Sequence, residues 1–374
     1  MNRPVPPPTP VEVLVNLLLG ADLHVEPLPP ARNGDVRAAL EPVLIAALVR
    51  PPCVVSFSGG RDSSAVLAAT TAVARDHGLP LPVPAIMRFP GVAASTETRW
   101  QVLVLDHLRL REPEIIVIRD ELDALGPAAT EVLRRHGVRW PGNAYMHMPV
   151  IELARGGTLL TGVGGDEVLS TRSPRRSLRQ LAVARLPARL REEAWLRRRA
   201  PQGYGWLTVE GRQTALRALA RDEVRWPYSW DRALHHWYAS RAFAAVDGGI
   251  AMTADGHDVR VVNPLLDRQV LAEFARAGGR TGFPSRTEAM RRLFGELLPE
   301  TLLSRPTKAG FAVPVWGPSM RQFVANWRGE GVDDRLVDVV KLRVELAKPE
   351  PDFRTILLLH QAWLHAQPAI ASTS

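Results

Sequence analysis

The run Ser58-Gly59-Gly60-Arg61-Asp62-Ser63 puts two glycines, two hydroxyls and a carboxylate within six residues. An apolar stretch, Val54-Val55-Ser56-Phe57, leads into it, and a helical pattern over residues 61–77 follows, with Gly78 as its stop signal. Strand, glycine turn and helix N-terminus in that order make an anion site. The glycines let the backbone approach phosphate oxygens, and unpaired N–H groups of the first helical turn point at them. Ser58 and Ser63 add hydroxyl donors, and Asp62 can hold a magnesium ion that bridges phosphate oxygens. The Gly-Lys-Ser/Thr ending of a Walker loop is absent. The bland alternative is an ordinary glycine turn before a helix.

A second turn, Thr161-Gly162-Val163-Gly164-Gly165-Asp166-Glu167, closes a strand expected at 158–161. Alone it is weak, and Asp166 could be a helix N-cap. Paired with the first turn, it sets a second carboxylate at a neighbouring strand end, where Asp62 and Asp166 could share magnesium on a triphosphate.

The elements that must position these turns alternate. Strands are expected at 54–57, 83–89, 114–119 and 158–161. Helices are expected at 61–77, 97–110 and 121–136, the last interrupted by Gly126-Pro127. Alternation predicts an α/β fold: a parallel sheet with helices on both faces and ligands at the carboxyl ends of the strands. Residues 1–37 form a proline-rich and helical preface, mobile over 1–10 and helical over 11–19. A helix at 36–48 leads into the α/β core of 38–170. Beyond Ser170 the strand signal disappears. Helices are expected at 175–199, 211–224, 230–246, 267–277, 286–298 and 318–327, so 171–374 reads as a mostly helical half over the strand ends. The many tryptophans there are ascribed to helix packing.

Composition excludes several classes. The chain has 374 residues, 46% of them hydrophobic, and no apolar run near the roughly 20 residues needed to span a bilayer. Without a signal-peptide pattern at Met1-Asn2-Arg3, a cytoplasmic protein is expected. Cys53 is the single cysteine, so internal disulfides and cysteine-based zinc sites are excluded. The net charge of +8 comes from 44 arginines and three lysines, and the dense stretch 172–199 lacks interleaved aromatics beyond Trp195. No nucleic-acid partner is expected from that pattern.

Two further segments complete a series: Asp258-Val259-Arg260-Val261-Val262-Asn263-Pro264-Leu265-Leu266-Asp267 and Arg305-Pro306-Thr307-Lys308-Ala309-Gly310-Phe311. The first turn resembles the pyrophosphate loop of the PP-loop ATP pyrophosphatases, with their adenine nucleotide α-hydrolase-like fold. All four segments together, in this order over about 38–364, resemble the asparagine synthetase family. The resemblance implies a reaction that uses ATP and magnesium. A carboxylate attacks the α-phosphate to give an acyl-adenylate and pyrophosphate, and an amine then forms an amide. By motif position Ser58, Gly59, Gly60, Asp62 and Ser63 would hold pyrophosphate. Phe57, Met87, Thr161 and Gly162 would contact the nucleotide, and Asp62 and Asp166 the metal. Lys308 would stabilise developing negative charge, unless it is a surface lysine. Asp258 would be the general base, unless it only pairs with Arg260.

Two departures narrow the product. Asn2 follows Met1 where glutaminase-bearing relatives start with a nucleophilic cysteine, so no glutamine hydrolysis is expected. Val163 stands where asparagine-forming relatives carry glutamate and the β-lactam-forming relative carries tyrosine. The C-terminal segment, with Phe323, Trp327 and Gln361-Ala362-Trp363-Leu364, resembles the relatives that close macrolactam rings in lasso peptides. The expected substrate is therefore a peptide or small carboxylate with an amine nucleophile. A precursor-peptide protease would be a partner protein. The alternatives are an ammonia-dependent asparagine synthetase and a nucleotide-binding pseudo-enzyme that acts as a scaffold.

Overall fold

The computed structural model describes residues 3–22, 24–92, 95, 97–169, 187–199, 203–305 and 315–367. Two helices come first, α1 (Pro10–Val15) and α2 (Val36–Leu48). The alternating core follows: β1 (Cys53–Ser56), α3 (Arg61–Asp76), β2 (Val83–Arg88), α4 (Thr98–Leu108), β3 (Glu114–Val117), α5 (Pro127–His136), α6 (Met148–Leu153), β4 (Thr158–Leu160) and α7 (Gly165–Leu169). Among the described residues four helices precede the last strand: α8 (Ala188–Arg199), α9 (Val209–Glu223), α10 (Trp230–Tyr238) and α11 (Arg241–Thr253). After β5 (Arg260–Val262) come α12 (Arg268–Gly278), α13 (Arg286–Phe294), α14 (Glu300–Leu303), α15 (Pro318–Asn326), α16 (Val339–Leu346) and α17 (Ile356–His365). None of the described helices is long and apolar enough to cross a membrane.

The five strands form one parallel sheet in the order β3-β2-β1-β4-β5. Side chains alternate across a strand, so Val54 and Val55 face opposite ways. Val55, with Ile86 and Leu160, packs on Leu44 of α2 and Leu67 of α3. Val54, with Ala85 and Leu159, packs on Ile151 of α6 and Ile250 of α11. Both faces are thus covered, and the α/β expectation is met. The outer strand β3 is four residues long and leaves Ile115 and Val117 exposed.

Three expectations are corrected. The mostly helical half, with no strand expected in it, also supplies β5, whose three residues pair in parallel with β4 (Leu160 opposite Val262); so short a run carries no periodic signal. The helix expected over 230–246 is two helices. Ser240 caps the second by accepting a hydrogen bond from Phe243 N at 3.0 Å. The N-terminal segment takes up the broken ends: Asp22 N donates to Ala239 O at 2.8 Å, and Arg241 N to Gly20 O at 3.1 Å. Residues 3–10, expected to be mobile, are tied down. The Arg3 guanidinium lies over the rings of Tyr238 and Phe243 (4.7 and 4.8 Å), and Arg241 donates to Pro7 O at 2.8 Å. Thr9 and Glu12 form a capping box at the start of α1, and Glu12 is buried against Arg241. Of the helix expected over 175–199, only α8 falls among the described residues.

His360 in α17 is buried, with Nε2 3.1 Å from Ala124 O, and burial pushes its pKa from 6.5 down to about 4. A group depressed in the fold contributes stability that is complete above the unfolded value and is lost as pH falls toward the folded one. This histidine should therefore remove roughly 2 kcal/mol between pH 7 and pH 5. Urea unfolding of the wild type should show that loss, and His360→Gln should flatten the slope over this window. An unchanged slope would place His360 in contact with water.

Candidate functional site

The first turn leaves β1 through Phe57 and Ser58 and enters α3 with Gly60 as N-cap. Gly59 has φ of 84°, and a Cβ there would meet Gln101 Cγ at 2.9 Å, so glycine is required on both counts. The Ser58 and Ser63 hydroxyls lie 3.0 Å apart, Gly60 N donates to Ser58 Oγ at 3.2 Å, and Gln101 Nε2 donates to Ser58 O at 3.1 Å. Among the described residues no side chain caps the 16-residue helix α3. Its first turn borders the cavity through Gly60, Arg61, Asp62 and Ser63, and a helix N-terminus facing a cavity is the arrangement that favours phosphate.

The second turn leaves β4 at Thr161, whose hydroxyl donates to Asn263 Oδ1 at 2.6 Å and accepts from Val163 N at 3.1 Å. Asn263 in turn donates to Asp247 O at 2.9 Å, and burial raises the pKa of the Asp247 carboxyl. The two turns interlock. A Cβ on Gly162 would fall 2.7 Å from Ser63 N, and one on Gly165 would overlap Asp62 Cγ. Only hydrogens fit between them, which brings the starts of α3 and α7 side by side.

Two arginines from the C-terminal half hold the charges. Arg286, at the start of α13, bridges Asp62 and Asp166. Burial lowers its pKa, but the two carboxylates more than reverse this and hold it above its usual value. Arg305 is buried against Glu97, with Nη2 2.8 Å from Glu97 Oε1. It also donates to Gly59 O at 2.9 Å and stacks 4.7 Å over Trp100. Together these groups surround a cavity of about 420 Å³ at the carboxyl ends of β1, β2 and β4. His147 also lines it, and burial pushes its imidazole down to about 4, so it is neutral at pH 7.

Among the described residues no cluster of three or more carboxylate, histidine or cysteine side chains could hold a metal. Asp62 and Asp166 suit magnesium all the same, because that ion takes one or two carboxylates and fills its remaining positions with phosphate oxygens and water. The Gly165 gap is what admits the Asp62 side chain to this spot.

Phe57, Ser58, Gly60, Asp62, Ser63, Met87, Thr161, Gly162 and Asp166 all border the cavity, and Gly59 shapes the turn beside it. Lys308 lies outside the described residues. Asp258 is not brought to the site. It precedes β5 at the amino end of the sheet, opposite the cavity, with its side chain 77% exposed and paired with Arg50 at 2.7 Å rather than with Arg260. A general base at that place would not reach the reacting atoms. Arg286, Glu97, Gln101 and His147 were missed, because nothing in their local spacing marks them. Arg305 sits in a quoted segment yet carried no assigned role.

The Arg305–Glu97 pair makes a stability prediction. Removing one partner of a buried pair leaves an uncompensated charge, which costs about 3–5 kcal/mol. Glu97→Ala should lower urea stability by that amount, and adding Arg305→Met should recover part of it. If Glu97→Ala costs nothing, the pair does not support the turn.

Comparison with protein families matches residues 41–364 to asparagine synthase. No curated protein matches the chain. The family match begins inside α2, ends inside α17, and takes in both glycine turns, the Asn263 segment and the helix carrying Arg286. A match over so much of the sequence shows that the chain belongs to the asparagine synthase family, whose members are ligases that form C–N bonds with ATP.

Proposed function

We propose that this chain activates a substrate carboxylate as an acyl-adenylate and joins it to an amine within a peptide or secondary metabolite, with closure of a macrolactam ring as the leading case. The observation that carries the adenylation step is the convergence of two interlocked glycine turns and two arginine-bound carboxylates on one cavity. Val163 argues against asparagine as product, since it lines the same cavity with a side chain that neither takes a proton nor binds ammonium.

In this reading the turn at Ser58–Ser63 holds the β- and γ-phosphates on its hydroxyls and on the N–H groups of α3. Phe57, Met87 and Thr161-Gly162 border the nucleoside. A carboxylate oxygen attacks the α-phosphorus, the bond to the bridging oxygen breaks, and pyrophosphate leaves. The amine nitrogen then attacks the acyl carbon, the bond to AMP oxygen breaks, and the amine proton passes to a base. Asp62 and Asp166 would hold magnesium, which supplies charge neutralisation as pyrophosphate departs. Arg286 pairs with both carboxylates and so orients them toward the same space. Most of the catalysis is positioning and electrostatic stabilisation.

The test is product analysis with candidate peptide substrates. AMP and pyrophosphate are expected, and ADP with phosphate would sink the proposal. Aspartate with ammonium should yield no asparagine. Asp62→Asn and Asp166→Asn should each abolish pyrophosphate release.

Lys308→Ala should bind ATP nearly normally yet lose roughly a hundred- to a thousandfold in rate, as for removal of one well-placed charged donor. Lys308→Ala with a wild-type rate would make that lysine a surface residue. A wild type that binds ATP but never forms pyrophosphate would favour a scaffold.

A further inference from the structure

Thr161 follows β4 with its side chain buried, and its hydroxyl has a single proton to give. Asn263, also buried, follows the neighbouring strand β5 and decides where that proton points. One orientation of its amide fits. The NH2 group faces two acceptors on α11, Asp247 O at 2.9 Å and Asp247 Oδ1 at 3.3 Å, so the carbonyl end faces Thr161. Asn263 Oδ1 carries only lone pairs, and at 2.6 Å the Thr161 hydroxyl is therefore the donor. The same hydroxyl accepts from Val163 N at 3.1 Å. The Thr161 proton is thus committed inside the protein.

The exit of β5 grips the second turn at two further points. Thr161 N donates to Val262 O at 3.2 Å. Leu266, at the end of the short turn Pro264–Leu266 that Asn263 opens, lies on Gly164, where a Cβ would overlap Leu266 Cδ2. On the other side Gly162 abuts Ser63 N of the first turn. The second turn is therefore held between α3 and the exit of β5. A buried polar network is stiff while every member is satisfied, and removing one member leaves atoms that must move to find partners.

We propose that Asn263 is a positioning residue of the nucleotide site: by taking the Thr161 proton it fixes Thr161, Gly162 and Val163 N as one unit against the first turn, so that this turn meets the nucleotide with backbone groups and not with the Thr161 hydroxyl. Asn263 itself does not line the cavity. The proposal rests on the adenylation reading, which puts a nucleotide there. It deepens that reading by making recognition at the second turn a matter of main-chain shape, set from the neighbouring strand.

The test is calorimetric titration with magnesium and an ATP analogue whose α- and β-phosphates are joined by a methylene group. Circular dichroism fixes a temperature at which each variant is fully folded. Asn263→Leu, with the same branching and no polar atoms, should weaken the analogue by about tenfold. Thr161→Val should cost a similar factor, and the double variant no more than either alone, because both remove one hydrogen bond. Thr161→Ser keeps the hydroxyl and should bind within about twofold of the wild type. A folded Asn263→Leu that binds like the wild type, or losses that multiply in the double variant, overturns the proposal. A loss in Thr161→Val alone puts the hydroxyl on the nucleotide and overturns it as well. If Asn263→Leu does not fold, Asn263→Ser, too short to span to Thr161, takes its place; failure of both to fold makes Asn263 a folding residue and ends its positioning role. If the wild type does not bind the analogue, the adenylation reading falls and this proposal with it. If the wild type binds and the Asn263 variants bind equally, only the positioning role falls.

Discussion

Two carboxylates facing one cavity repel each other unless a cation sits between them, and Arg286 is that cation. The constraint reaches through the whole architecture. Asp62 stands at the start of α3, Asp166 at the start of α7 and Arg286 at the start of α13, so three helices from distant parts of the sequence must begin within a few ångströms of one another. The parallel sheet makes that feasible. Its parallel crossovers return every strand with the same polarity, so each following turn opens at the same end. The β1 and β4 turns are neighbours because β1 and β4 pair directly, with Val54 opposite Leu159.

Under the first turn, the Arg305–Glu97 pair does for the backbone what Arg286 does for the side chains. It anchors Gly59 O from the far side and links the segment after α14 to the start of α4. The helical half is therefore part of the floor and wall of the cavity.

The parts of the site legible in the sequence are those encoded by consecutive residues. The turns at 58–63 and 161–167 carry their glycines in consecutive positions, Gly59 and Gly164 for their positive φ, and each follows a strand whose apolar run is visible. Arg286 is illegible because its role depends on a contact across more than a hundred residues, and 44 arginines offer no contrast against which to notice one. Asp258 misled for the converse reason: its neighbours look like a motif, but the register of β5 puts it at the wrong end of the sheet. The break at Ser240 was likewise hidden, because the partners that take up the broken helix ends, Gly20 and Asp22, belong to another part of the chain.

The outer strand β3 has its own consequence, for the behaviour of the protein in solution. Among the described residues no strand pairs with its outer edge, and Ile115 and Val117 are 43% and 50% exposed on one face, which is the profile that recruits an extra strand from another molecule. Its length of four residues, and the charges of Arg111, Glu112, Glu114 and Arg119 around it, work against such recruitment. These charges are electrostatic gatekeepers of one short edge, and high salt, which screens them, weakens that protection.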